Sequence, residues 1–104
     1  MDTSICPRFE KAMGILSQRW TGLIIYQLLP GPKRFCHIES SMAVSGRVLS
    51  ERLKDLESEG IVKRDVIPET PVRIEYSLTD KGLALQPIMK EMEKFAESWM
   101  ETES

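Results

Sequence analysis

The stretch SGRVLSERLKDLESEGIVKRDV (residues 45–66) decides the fold, because a helical pattern gives way to a strand pattern within it. The apolar positions that recur every three or four residues are Val48, Leu49, Leu53 and Leu56. This spacing predicts an amphipathic helix with one buried face. Ser45 is a good N-cap for that helix, and Gly60 suits the positive φ with which many helices end.

The residues that follow predict a β-hairpin. VRIEYSL (72–78) alternates between apolar and polar side chains, which is typical of a half-buried strand. Its expected apolar face consists of Val72, Ile74, Tyr76 and Leu78. IVKRDVI (61–67) is its expected partner, and the proline-flanked PETP (68–71) would form the tip of the hairpin.

Three helices are expected before the decisive stretch. The first begins at Pro7, since proline suits the first helical position and has no amide hydrogen that would go unpaired there. The second runs through TGLIIYQLL (21–29), with Thr21 as its N-cap. PGPK (30–33) is a turn, and RFCHIESSM (34–42) follows as a short helix.

A last long helix, capped by Thr79, carries an apolar seam with alternating spacings of three and four residues. The seam consists of Leu85, Ile88, Met92, Phe95 and Trp99. It is too short for an independent coiled coil, so it favours packing against another helix. Residues 7–29, with Phe9 and Met13, and residues 80–101 are therefore expected to contribute to a dimer interface.

The resulting order is four helices, two strands and a final helix. Two short helices that meet at a tight turn and precede a β-hairpin make a helix-turn-helix with a wing. The sequence therefore predicts a mainly α fold with a β-hairpin wing. We expect residues 1–104 to form a single winged helix-turn-helix domain with terminal dimerisation helices.

The composition sets further bounds on the class of protein. The chain has 104 residues, a net charge of −2 and two cysteines. No apolar run approaches the roughly 20 residues of a membrane span, and the N-terminus lacks the apolar core of a signal peptide. We therefore expect a cytoplasmic protein without a disulfide framework. The middle of the chain is slightly basic, with eight Lys/Arg against seven Asp/Glu in residues 33–73.

Several strings together resemble the HxlR-type regulators, a branch of the MarR-like winged-helix repressors. These are Cys6, RWTGLII (19–25), GPKRF (31–35), VLSERLKDLESEGIVKRDV (48–66), ETPVRIEYSLTDKG (69–82) and Trp99. Within that family, CPRFE, GLII and GPKRF are similar to the YodB/QsrR-type sensors of quinones and other electrophiles. The resemblance implies a homodimer that binds a palindromic operator in double-stranded DNA. It also implies a quinone or another electrophile as inducer, and no cofactor.

The expected DNA contacts follow from the way a recognition helix, here about 45–58, enters the major groove. The polar residues opposite the leucines are Ser45, Arg47, Ser50, Glu51 and Lys54. Arg47 is the first choice for a base contact, because a guanidinium can donate two hydrogen bonds to one guanine. Ser45, Ser50 and Lys54 suit phosphate or mixed contacts.

Basic residues outside this helix are expected to add contacts with the DNA backbone. These are Lys33, Lys63 and Arg64, with Arg73 near the hairpin tip reaching a minor groove or the backbone. Arg52 is expected to point partly inward and to pair with Glu59 or a neighbouring carboxylate. The alternative is that these charges only form a solvated surface, which is the usual place for charge on a helix.

The N-terminal cysteine invites a chemical interpretation. If Pro7 begins the first helix, Cys6 is its N-cap, where the helix dipole lowers a thiol pKa and favours the reactive thiolate. The alternative is that Cys6 is an inert residue in the interface. In the YodB/QsrR-type sensors that the chain resembles, the sensor cysteine matches Cys6, which favours the sensing role.

The second cysteine, Cys36, is expected to be a buried packing residue. The other interpretation is a resolving partner for Cys6 of the second subunit. Some of the sensors that the chain resembles use C-terminal cysteines for disulfides between subunits, and this sequence has none there. Direct alkylation of Cys6 and a disulfide between Cys6 and Cys36 of the partner both remain open.

Other classes of function find less support. Cys6, Cys36 and His37 lack the paired C-x₂-C spacing of a zinc site. The sequence contains neither a glycine-rich phosphate loop nor a nucleophile elbow, so we expect a protein that is not an enzyme. Two alternatives stay open: a winged-helix regulator with a reversible ligand and a purely structural Cys6, and a winged-helix module that binds protein.

Overall fold

A computed structural model describes residues 4–101. Its helices and strands follow in the order α1 (Pro7–Leu16), α2 (Thr21–Leu28), β1 (Lys33–Arg34), α3 (Phe35–Ser40), α4 (Gly46–Ser58), β2 (Val62–Ile67), β3 (Arg73–Leu78), α5 (Asp80–Leu83) and α6 (Gln86–Trp99). Helices α3 and α4 form the helix-turn-helix, and β2 and β3 form the wing. This order confirms the predicted mainly α fold with a β-hairpin wing.

The hydrophobic core lies between α2, α3, α4 and the sheet. The side chains that are at most 1% exposed are Ile24, Ile25, Leu28, Ile38, Leu49, Leu53 and Leu56. Three of them are the leucines of α4, which confirms the buried face that their spacing predicted. Because Leu49, Leu53 and Leu56 are buried from the first turn of α4 to its last, the core holds this helix along its length.

The sheet has three antiparallel strands in the order β1-β3-β2, where the sequence predicted only a hairpin. The additional strand β1 has two residues, which are too few to show an alternating pattern. The predicted alternation of 72–78 is confirmed only in part. Tyr76 and Leu78 are buried, but Val72 lies before the strand and is 59% exposed, while the polar Ser77 is buried.

Two predicted helix starts are confirmed and two are corrected. Pro7 begins α1, and the Ser45 side chain caps α4 by accepting a hydrogen bond from the Val48 amide at 3.2 Å. Thr21 is not the cap of α2: it is the first helical residue, and Trp20 before it is the N-cap. Thr79 caps only the single turn of α5, and the long helix α6 begins after a break, at Gln86.

The two terminal helices leave their apolar faces uncovered. Neither α1 nor α6 has a buried residue. The exposed large hydrophobic side chains of these helices are Phe9, Met13, Ile88, Met92, Phe95 and Trp99, and Trp99 is 75% exposed. Leu85, the first residue of the predicted seam, differs from the others because it packs partly against the core. No helix within residues 4–101 is both long and apolar enough to cross a bilayer.

Candidate DNA-binding surface and thiol site

The first part of the candidate site is a polar stripe on α4. Arg47, Ser50, Glu51 and Lys54 are spaced by three and four residues, which places them on one face of the helix. The side chain of Arg47 is 89% exposed and pairs with Glu51 at 3.5 Å. Such an exposed pair is worth well under ~1 kcal/mol, so Arg47 can leave it easily. Ser50 is half-buried, and Lys54 is exposed.

The strand register separates the basic residues of the sheet into two groups. Lys33 and Arg64 both lie opposite Tyr76, so they share the face of that side chain. Lys63 lies opposite Ser77, on the other face of the sheet, and pairs with Asp65 at 3.9 Å. Successive side chains of a strand point to opposite faces of the sheet. Lys63 and Arg64 are neighbours in β2, so they would have to contact DNA from opposite faces of the wing.

Arg73 is held more firmly than the sequence suggests. Its side chain is 30% exposed and lies between two carboxylates, Glu69 at 3.2 Å and Glu75 at 3.4 Å. The buried Nε atom lies within ion-pair distance of Glu75 but without the geometry of a hydrogen bond. Arg73 must therefore give up charged partners before it can reach DNA, unlike the exposed Arg64 on the neighbouring strand.

Cys6 lies where the sequence placed it, at the N-cap of α1, and it is exposed. The sulfur makes no side-chain capping hydrogen bond of normal geometry. Even so, the free backbone amides of Phe9 and Arg8 in the first turn lower the pKa of the Cys6 thiol. The thiolate fraction at neutral pH is therefore larger than for an ordinary cysteine, and solvent can reach it.

Cys36 differs from its expected role as a packing residue. It is the second residue of the short helix α3, and it is exposed, so the prediction of burial is wrong for the chain described here. Both cysteines are free thiols. No group of three His, Cys, Asp or Glu side chains within residues 4–101 could hold a metal ion.

Sequence reasoning missed a groove between α2 and α6. It has a volume of about 540 Å³, and its lining includes Trp20, Leu23, Tyr26, Ile88, Met92 and Glu93. The Tyr26 hydroxyl donates a hydrogen bond to the Glu93 carboxylate, which raises the pKa of Tyr26 because the carboxylate holds the proton and repels a phenolate. The spacing of Trp20, Leu23 and Tyr26 by three residues indicates this second apolar face of α2 in the sequence.

Arg52 is half-buried as expected, and of the two kinds of carboxylate that the prediction allowed, Glu59 or a neighbour, it pairs with a neighbour. Its guanidinium pairs with Asp55, one turn along α4, at 3.4 Å and not with Glu59. Its Nε donates a second hydrogen bond, at 3.2 Å, to the backbone carbonyl of Arg19, between α1 and α2. Every residue has a backbone carbonyl, so the residue types in the sequence do not indicate which carbonyl Arg52 contacts.

Comparisons with known proteins agree with this architecture. The family model of the HxlR-like helix-turn-helix matches residues 15–104. The uncharacterized HTH-type transcriptional regulator YvaP of Bacillus subtilis is 65% identical over 100 residues, which cover 95% of this chain and 93% of YvaP. The HTH-type transcriptional regulator YodB of the same species is 48% identical over 102 residues, which cover 97% of this chain and 91% of YodB.

Solved structures of two redox-related proteins have the same fold. The quinone-bound structure of YodB from B. subtilis matches with a TM-score of 0.79 and 43% identity, covering 91% of this chain and all (100%) of that one. The redox regulator HypR in its oxidized form matches with a TM-score of 0.86 and 34% identity, covering 93% of this chain and 100% of that one. These matches confirm both the winged-helix architecture and the resemblance to HxlR-type regulators.

Proposed function

Because the chain belongs to the HxlR-like helix-turn-helix family of transcriptional regulators, we propose that it is a homodimeric cytoplasmic repressor. It binds a palindromic operator in double-stranded DNA and releases it when a quinone or another electrophile modifies Cys6. The observation that carries the proposal is the exposed Cys6 thiol at the N-cap of α1, with a lowered pKa. The relative YodB, whose structure exists with a bound quinone, supports the choice of electrophile.

The uncovered faces of α1 and α6 support the homodimer. Met92 and Phe95 of α6 are 62% and 51% exposed, and Phe9 of α1 is 59% exposed. Exposed apolar side chains that recur along one face of a helix mark an interaction site, because their contact with water is unfavourable. A second copy of the chain offers the same apolar faces and can cover both. The proposed interface also includes Met13 of α1 and three further residues of the C-terminal seam, Leu85, Ile88 and Trp99.

The polar stripe of α4 supports the contact with DNA. In a dimer, two copies of α4 enter successive major grooves if their separation matches one helical turn, roughly 34 Å. Arg47 then donates to a base edge, and Lys54 and Ser45 contact phosphates. Arg64 and Lys33, on the Tyr76 face of the sheet, add contacts to the backbone. Arg73 and Lys63 contribute from the opposite face of the wing.

The chemistry at Cys6 requires no additional oxidant. The thiolate attacks an electron-poor ring carbon of the quinone, and a carbon–sulfur bond forms. The ring electrons move onto one carbonyl oxygen, which takes up the proton that the thiol gave up. The attacked ring carbon then loses its hydrogen as a proton and the second carbonyl oxygen takes up a proton, so the product is a hydroquinone thioether. The adduct enlarges the side chain at the start of α1 and shifts α1 in the dimer interface. A shift there changes the angle between the two recognition helices.

A gel-shift experiment tests this proposal. The DNA is the segment upstream of the gene for this protein, and the proteins are wild type, Cys6→Ser and the matched control Cys36→Ser. We expect all three to bind, and benzoquinone to release wild type and Cys36→Ser but not Cys6→Ser. Release of Cys6→Ser by benzoquinone would refute sensing through Cys6. Loss of release in both Cys6→Ser and Cys36→Ser would favour a disulfide between Cys6 and Cys36 of the partner.

The groove between α2 and α6 favours a second candidate function. Its volume of about 540 Å³ and apolar lining suit a small reversible ligand, with Cys6 as a purely structural residue. Intact-mass spectrometry of the Cys36→Ser variant after brief exposure to benzoquinone separates the two functions, because the reversible regulator gains no adduct at Cys6. A salt titration of DNA binding separates both from a protein-binding module, because phosphate contacts give a steep negative slope.

A further inference from the structure

The turn between α1 and α2 holds a backbone conformation that a bulky residue rarely adopts. Trp20 has a φ of 78° and is the one residue other than glycine with a positive φ within residues 4–101. Such conformations persist only where the surrounding structure enforces them, and they cluster at functional sites. The question is which contacts hold Trp20 in place.

Contacts on two sides hold this turn. The Trp20 carbonyl accepts from the Ile24 amide at 3.0 Å, and the Arg19 guanidinium lies over the indole ring, 4.7 Å from its centroid. In addition, the Arg19 carbonyl accepts the hydrogen bond from Arg52 Nε at 3.2 Å. Because Arg52 lies in the middle of α4, this bond ties the strained turn to the recognition helix.

The same turn faces the groove between α2 and α6, since Arg19 and Trp20 both line it. The turn therefore borders the groove along α6 and is also hydrogen-bonded to α4. We propose that Arg52 is a positioning residue for DNA binding: its hydrogen bond to the Arg19 carbonyl sets α4 relative to the α1–α2 turn and thus to the terminal helices. This inference rests on the proposed DNA-binding function.

The geometry of Arg52 separates this role from a direct DNA contact. The side chain of Arg52 is 22% exposed, against 89% for Arg47 on the polar stripe. Its charge is already paired with Asp55, and its Nε points at a backbone carbonyl. Arg52 is therefore placed to orient α4 and not to neutralise a phosphate.

The test compares Arg52→Met with Lys54→Met, two changes in α4 that each remove one positive charge. DNA affinity is measured on the segment upstream of the protein's own gene at several salt concentrations. We expect Arg52→Met to weaken binding roughly fivefold to tenfold, the size of one lost hydrogen bond, with an unchanged salt slope. We expect Lys54→Met to reduce the slope by about 0.9, the value for one phosphate contact.

A second variant, Arg52→Lys, keeps the charge but carries a methylene group where arginine has Nε. It should weaken binding as Arg52→Met does, and it serves as the readout if Arg52→Met fails to fold in a circular dichroism melt. Binding equal to wild type in a folded Arg52 variant would overturn the inference, and so would a slope reduced by one contact. If wild type itself binds no DNA, the repressor proposal fails, and this inference fails with it.

Discussion

Gly82 offers a sharp test of the packing between the wing and the C-terminal helices. It is buried in α5, and a Cβ at this position would lie 2.3 Å from the backbone oxygen of Ile61 and 3.0 Å from Leu78 Cδ2. The Ile61 oxygen belongs to the backbone, so it cannot rotate away as a flexible side chain would. The substitution Gly82→Ala therefore requires α5 to move by about 1 Å before ordinary van der Waals contact is restored.

The energetic effect follows from what this movement disturbs. The same Ile61 oxygen accepts hydrogen bonds from the Thr79 amide at 3.0 Å and from Thr79 Oγ1 at 3.2 Å. Overpacking a close-packed interior costs ~1–3 kcal/mol. A weakened hydrogen bond adds about 1 kcal/mol. We therefore expect Gly82→Ala to lower the free energy of unfolding by about 3 kcal/mol.

Thermal unfolding followed by circular dichroism measures this change, at one fixed protein concentration because the proposed dimerisation would contribute to stability. For a domain of this size each 1 kcal/mol shifts Tm by roughly 4–8 °C, so Tm should fall by at least about 10 °C. Gly14→Ala in α1 is the control, since a Cβ there meets nothing within 4 Å. It should stabilise the helix by up to ~1 kcal/mol. A Gly82→Ala protein as stable as wild type would show that the close approach to Ile61 does not exist.

Three further predictions concern single side chains of the site. Ser45→Ala should lower stability by ~1 kcal/mol in the same melts, because the cap of α4 is lost. Ser45→Asp should keep the stability, because aspartate caps a helix equally well. It should nevertheless weaken DNA binding in a gel shift, because its negative charge repels phosphate. The rate at which Cys6 reacts with benzoquinone, followed by intact mass, should rise with pH around a midpoint below the ordinary thiol pKa of about 8.5. The reason is that the amides of the first turn of α1 lower the pKa of Cys6. A midpoint at or above the ordinary value would contradict this cause. Glu93→Gln should lower the pKa of Tyr26 towards the ordinary value of about 10, because the carboxylate that raises this pKa is gone. The absorbance of the phenolate, measured against wild type, gives the pKa. An unchanged titration would show that Glu93 is not the partner of Tyr26.

Much of the fold could be predicted because it rests on local patterns. The leucine spacing of α4, the Ser45 cap and Gly60 with its φ of 74° are each set by a few neighbouring residues. The starts of α2 and α6 could not be predicted in this way. Thr21 has the side chain of a cap, but its burial in the core, at 2% exposure, assigns it to the first helical turn. Gly82, close to Ile61, anchors a separate turn, α5, before the long helix.

The candidate site could also be predicted only where it depends on residues that are neighbours in the sequence. The position of Cys6 followed from the adjacent Pro7, which fixes the start of α1. The ion pair of Arg73 with Glu75 joins two residues on the same face of β3, but strand alternation does not show whether charged neighbours pair. The bond of Arg52 to a carbonyl was missed because it involves a backbone atom 33 residues away in the sequence. The exposure of Cys36 was missed because residue type gives only an average preference for burial.

If the chain dimerises as proposed, the lack of any buried residue in α6 makes the activity of the protein depend on its concentration in the cell. In the proposed dimer, the partner covers the exposed apolar face of this helix, so folding and dimerisation are coupled through one mass-action equilibrium. Below the dissociation constant of the dimer, the concentration of DNA-binding species falls with the square of the chain concentration. A cell that makes fewer copies, or an electrophile that removes some of them, then loses repression more steeply than it loses protein.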